Sequence, residues 1–238
     1  SLARMDQLTA FFASLPDVLA VVAFGSNAFR ERFDDSSDLD FLVLVMPNAK
    51  ANTLDNIPDL SMFCAIDAVH IAYGDAVKLL FADGVLCDFG VVTPDQLATF
   101  HHGPGKYLWC REEWLSADIS PREPARMAAC DHILHALFHL YTGLLRVARA
   151  EEAAAFFEIQ VMAAEHVLTL LEGDKAVAFS PRRRAEELLP DEVLQAYMPG
   201  YGHSLYAAKA MLEGLTQATD LPLYHAVKAL LQPLESRS

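Results

Sequence analysis

Asp38 and Asp40 stand two residues apart at the front of the apolar run 41–46. Side chains i and i+2 of a strand share a face, so both carboxylates would point one way while Leu39 and Phe41 point into a core. Two like charges held that close repel unless a cation lies between them. A hard divalent ion such as Mg²⁺ suits the gap, because it takes carboxylate and phosphate oxygens together. A third acid comes from "VLCDFGVV", residues 85–92, where Asp88 is a lone carboxylate in an otherwise apolar strand and demands a partner. If that strand neighbours the one opened by Asp38, three carboxylates converge.

Upstream, Gly25 permits close backbone approach, and Ser26 opens an amphipathic stretch, 26–33, that reads as a helix whose first N–H groups favour an anion. A phosphate cradle beside metal-binding acids suits nucleotidyl transfer, in which two metal ions about 3.5 to 4 Å apart clamp the attacking and leaving oxygens of an in-line displacement. As a set, "FGS" after a strand, "SDLDF" opening the next with eleven residues between Ser26 and Asp38, and a later strand aspartate resemble the nucleotidyltransferase superfamily of DNA polymerase beta. Within it, a small α/β domain followed by a helical bundle is similar to the antibiotic nucleotidyltransferases, which adenylylate aminoglycosides or lincosamides. The resemblance covers residues 18–92. It implies that Asp38 and Asp40 bind two Mg²⁺ ions, that Asp88 binds the one activating the acceptor, and that Gly25 and Ser26 contact the phosphates of ATP. It also implies transfer of AMP to a hydroxyl of a small molecule. The alternatives are nucleotidylation of a protein partner, as in toxin–antitoxin pairs, and a non-catalytic nucleotide-binding module.

The elements that must position these residues are legible as periods. Residues 2–14 have helical spacing, 18–24 read as a buried strand, and 38–46 as a second strand closed by Pro47. Residues 65–73 read as a strand, and 76–92 as a hairpin turned at Asp83-Gly84. Thr93 and Pro94 then start a helix. Beyond about residue 120 the period is helical throughout, with two long segments, 123–150 and 151–172, and shorter ones at 182–189, 191–198, 204–216 and 221–232. The fold class is therefore α+β: a small mixed sheet with flanking helices, 1–110, followed by an all-helical acceptor-binding domain, 111–238, with the active site expected in the cleft between them. The breakers "HHGPG" mark the boundary region.

Composition sets the limits. With 53% hydrophobic residues the chain of 238 is globular. Its longest apolar runs fall short of the roughly 20 residues that span a bilayer, and the charged N-terminal stretch reads as a helix, not a signal peptide. Four scattered cysteines suggest neither a disulfide framework nor a zinc ribbon, and fit a reducing cytoplasm. A net charge of -14 disfavours nucleic acid and favours a cationic acceptor. A homodimer is compatible with this composition.

Several residues have bland readings. Arg30 and the cluster 181–187 read as solvated helix charges, although either has the charge to meet a phosphate. His132, His135 and His139 fall at i, i+3 and i+7 on one helical face with Cys130 nearby; packing at a domain interface or exposure to solvent is preferred over a metal site. Arg126 and His132 have the R-x5-H spacing of the HEPN ribonuclease motif, a pair common by chance. Glu158 and Glu165 read as solvated positions, with a general base as the functional alternative.

Overall fold

Strands β1 (Val18–Ala23), β2 (Leu39–Val45), β3 (Ile66–Ala72), β4 (Ala76–Phe81), β5 (Leu86–Val92) and β6 (Lys106–Cys110) form one mixed sheet in the spatial order β3-β4-β5-β2-β1-β6. The computed structural model describes residues 2–28, 37–73, 75–99, 103, 105–112, 119–120, 125–173 and 185–236. The β2–β5 pair is parallel and the other strand pairs are antiparallel. The near-continuous apolar sequences of β1 and β2 place them in the interior of the sheet, where both faces are covered. β4 and β5 alternate instead, burying Val77, Leu79 and Phe81 of the one and Cys87, Phe89 and Val91 of the other. Gly84, at φ +84, supplies the left-handed turn residue between them.

On one face of the sheet lies helix α1 (Leu2–Ser14), which buries Met5, Leu8 and Phe12 against Phe41, Phe89 and Phe81. Phe41 and Phe89 are register partners across β2 and β5, and their rings stack at 4.7 Å with an interplanar angle of 5°. Because a one-residue slip turns every side chain of a strand to the other face, this stack and its apolar surroundings pin the register of the acid-bearing strands. The opposite face carries Leu42, Leu44, Val22 and Val92 under Leu97 of a short helix, Pro94–Thr99.

Strand β6 is an addition to the sequence reading, which placed only a boundary there. It pairs with β1 and is followed by Arg111, whose guanidinium donates to the carbonyl oxygens of Val18 (2.7 Å) and Pro16 (2.6 Å). Five residues directly after the breakers Pro104 and Gly105 are too short to show a period of their own, so only pairing with β1 identifies them. The expected helix 26–33 is also modified: Gly25–Ala28 is a single 3-10 turn, and Arg30 lies outside the described residues.

The chain divides into two compact units, residues 1–124 and 125–238. Every regular element among the described residues of the second is a helix. Its core is built from Ala129–Ala148, a continuous helical stretch from 152 to 172, and the shorter helices Ala185–Leu188, Asp191–Tyr197, Ser204–Gly214 and Pro222–Glu235. The long stretch is not uniform: Glu152–Phe156 and Ala164–Glu172 are α-helical, and Phe157–Ala163 between them is a π-helix. By length and composition, 152–172 is apolar enough to cross a membrane, which the sequence reading had excluded for every segment. Its Ala155, Ile159, Ala163, Val167 and Leu168 are instead buried in the core of the second unit. The α+β organisation expected from the sequence is thus present, a mixed sheet followed by helices.

Candidate functional site

Parallel pairing sets Asp40 on β2 directly beside Asp88 on β5. Asp38 lies two residues before Asp40, at the mouth of β2, and Lys78 on β4 pairs with Asp88 from the other side. The result is a row across three neighbouring strands, Lys78–Asp88–Asp40, on the face opposite the Phe41–Phe89 stack. All three acids are half-buried, whereas their strand neighbours Leu39, Phe41, Cys87 and Phe89 are buried beneath the sheet. The alternation that hides the apolar side chains is the same alternation that presents the acids.

Carboxylates on adjacent strands about 5 Å apart repel by roughly 1 to 3 kcal/mol, depending on how far water screens them. Lys78 relieves part of that repulsion: its Nζ donates to Asp88 Oδ2 at 2.5 Å. The lysine pKa is raised, first by that hydrogen bond and the Asp88 charge, and further by the charges of Asp38 and Asp40. One ammonium therefore feels all three carboxylates. The sequence reading missed Lys78, which occupies an ordinary exposed position of an alternating strand; Asp83-Gly84 as hairpin centre was the signal that set it against the acids.

Gly25 closes the other side. Its φ of +56 is left-handed, and a Cβ built on it would stand 3.2 Å from Asp40 Oδ2. A side chain here would press on the carboxylate as well as strain the backbone. Phe24 N–H donates to the Asp40 carbonyl (3.0 Å), and the Asn27 side-chain amide donates to the Asp38 carbonyl (2.9 Å). The 3-10 turn is thereby tied to the backbone of both acids. Asn27 Oδ1 is buried with no partner among the described residues.

This donor set suits a hard divalent ion. Two carboxylates stand side by side on paired strands, a third lies two residues ahead of one of them, its charge felt at Lys78, and the glycine leaves open backbone beside Asp40. The site has no sulfur ligand, because Cys87 points to the core face, where burial pushes its thiol up to about 12. Of the other candidates, residues 181–184 lie outside the described residues. Glu158, read from sequence as solvated, accepts from His139 instead, and His132, His135 and His139 do not stand as separate surface residues: His166 packs among them.

No family model matches the chain, and no curated protein matches it. Among solved structures it is similar to an aminoglycoside 6-adenyltransferase from Bacillus subtilis, at 15% identity over 96% of this chain and 90% of that one, with a TM-score of 0.35. It is similar to a nucleotidyltransferase-like protein from Exiguobacterium sibiricum, at 14% identity over 94% and 75%, TM-score 0.38. A third is the STING-associated CdnE c-di-GMP synthase from Capnocytophaga granulosa, at 14% identity over 98% and 78%, TM-score 0.31.

Proposed function

We propose that this chain is a nucleotidyltransferase that moves a nucleoside monophosphate, AMP from ATP, to a hydroxyl of a small cationic molecule and releases pyrophosphate. The observation that carries the reading is the register of β2 and β5, which sets Asp40 beside Asp88 with Asp38 two residues away. Mg²⁺ held by Asp38, Asp40 and Asp88 would supply charge neutralisation for the phosphates and activation of the acceptor hydroxyl. The chain's own groups have separate tasks. The Gly25-Ser26 backbone contacts the nucleotide phosphates, and its link through Phe24 N–H to the Asp40 carbonyl fixes cradle and acids in one frame. Lys78, paired with Asp88 and largely exposed, is free to swing to a phosphate oxygen as pyrophosphate forms. An acidic chain of net charge -14 draws in a cationic acceptor, an aminoglycoside or a lincosamide among the candidates, and disfavours nucleic acid.

The test is Asp40→Asn and Asp88→Asn in a transfer assay with ATP labelled on its α-phosphate, Mg²⁺ and a panel of cationic hydroxyl compounds. We expect transfer to fall by about a thousandfold or more, as befits loss of a group acting on the transition state, with an unchanged circular dichroism spectrum. Turnover retained in either folded variant overturns the reading. Label on protein instead of on the small molecules would move the acceptor assignment to a polypeptide.

A further inference from the structure

The second unit contains a cluster that the transferase reading does not use. Helix Ala129–Ala148 carries His132, His135 and His139 at i, i+3 and i+7, so the three rings share one face. His166, on Ala164–Glu172, packs against all three, with ring centroids at 5.1 Å from His132, 5.0 Å from His135 and 5.9 Å from His139. One ring nitrogen from each of His135, His139 and His166 lies within 4.8 Å of the other two.

The surroundings orient these rings. Glu158 Oε2 meets His139 Nδ1 at 2.8 Å, and a carboxylate accepting there has Nδ1 carry the proton, which leaves the lone pair on Nε2. His132 Nδ1 meets His166 Nδ1 at 2.9 Å; with the proton on His166 Nδ1 and His132 Nδ1 accepting, Nε2 of His166 keeps its lone pair. Glu158 and His166 are eight residues apart, which in a straight α-helix puts them about 80° apart around the axis. The π segment Phe157–Ala163 between them advances less per residue and reduces that offset, and such segments recur at functional sites. Gly143 lets the two helices close: a Cβ there would overlap Ile159, the neighbour of Glu158.

We propose that His135, His139 and His166 form a binding site for a first-row transition-metal ion of the zinc type, with Glu158 and His132 as positioning residues. An all-imidazole donor set selects Zn²⁺, Co²⁺ or Ni²⁺ over Mg²⁺ and Ca²⁺, which take oxygen ligands. Three protein nitrogens leave a fourth position for water or another ligand. Zinc bound at about 2.0 to 2.1 Å in tetrahedral geometry holds its nitrogens roughly 3.3 Å apart, a contraction within reach of the imidazole side-chain torsions. His135 is exposed, so an ion has a path in. This site shares no residue with the carboxylate row of the first unit.

The experiment uses the full chain, stripped with chelator and titrated with Co²⁺ and then Zn²⁺. We expect about one equivalent of Co²⁺ with the visible bands of tetrahedral coordination, displaced by Zn²⁺ and undisturbed by excess Mg²⁺. His166→Ala and His139→Ala should abolish stoichiometric binding. His135→Ala, at an exposed position that leaves the core intact, should weaken it at least a hundredfold. Glu158→Gln should weaken it about tenfold, as loss of an outer-shell partner does, and Cys130→Ser should change nothing. Binding that survives His135→Ala at full affinity, octahedral cobalt spectra, or no stoichiometric binding by the unmodified chain would each overturn the assignment.

Discussion

Lys78→Met separates the role of the ammonium from that of the acids it pairs with. The Lys78 and Asp88 side chains are 64% and 39% exposed, so their ion pair contributes only about 0 to 1 kcal/mol to folding. The melting temperature should therefore move by no more than about 3 °C. The effect on a divalent ion is larger, because the ion and the ammonium compete for Asp88. Breaking the pair costs about 0 to 1 kcal/mol. An ammonium that has swung to about 8 Å from a doubly charged ion still repels it by about 1 kcal/mol in a water-like dielectric. Together these correspond to roughly tenfold tighter binding in Lys78→Met. Mn²⁺ titration by calorimetry at low ionic strength reads the change directly, since salt would screen it. Lys78→Arg keeps the charge and should stay within about twofold of the parent chain, while Asp88→Asn added to Lys78→Met should remove the gain. Equal or weaker Mn²⁺ binding in Lys78→Met would refute the reasoning, because it would mean that the ion and the ammonium do not share a carboxylate.

Two further predictions address the glycine and an uncompensated acid. Gly25→Ala places a β-carbon 3.2 Å from Asp40 Oδ2 at a φ of +56, so it should cost about 1 to 2 kcal/mol of stability and weaken Mn²⁺ binding, read by thermal melts and the same titration; unaltered affinity would show that Asp40 does not need this neighbour. Glu172 is 6% exposed, both its oxygens lack a partner among the described residues, and burial raises its pKa. The folded state then holds the proton to higher pH than the unfolded chain, so stability attached to this group is present at low pH and lost as pH rises through the raised value. Glu172→Gln should accordingly unfold at higher urea than the parent at pH 7 to 8, with the difference closing below about pH 4.5, and identical midpoints across that range would contradict it.

What could be read from the sequence divides by distance along the chain. The alternation of Leu39, Asp40 and Phe41, and of Cys87, Asp88 and Phe89, is local, and it fixes which face each acid takes once the strands exist. The turn at Asp83-Gly84 is local too, and it sets β4 against β5. Whether β5 lies beside β2, and in which register, is not local: it depends on Phe41 finding Phe89 under α1, a contact between residues far apart in sequence whose energy belongs to the packed core. Lys78 was missed for a different reason: the hairpin that sets it against Asp88 is local, but its own residue type is unremarkable in an exposed strand position. His166 was invisible more thoroughly. It sits 34 residues from His132, on another helix, and only the close passage at Gly143 and the π segment bring it to the histidine face. The helical period alone put three histidines on one side of a helix, where packing at a domain interface or exposure to solvent was the expectation; the fourth ring and Glu158 gather that stripe into a cluster. Each cluster is therefore a local pattern completed by packing between segments far apart in sequence, Asp40 with Asp88 in the sheet and the histidine face with His166 in the helices.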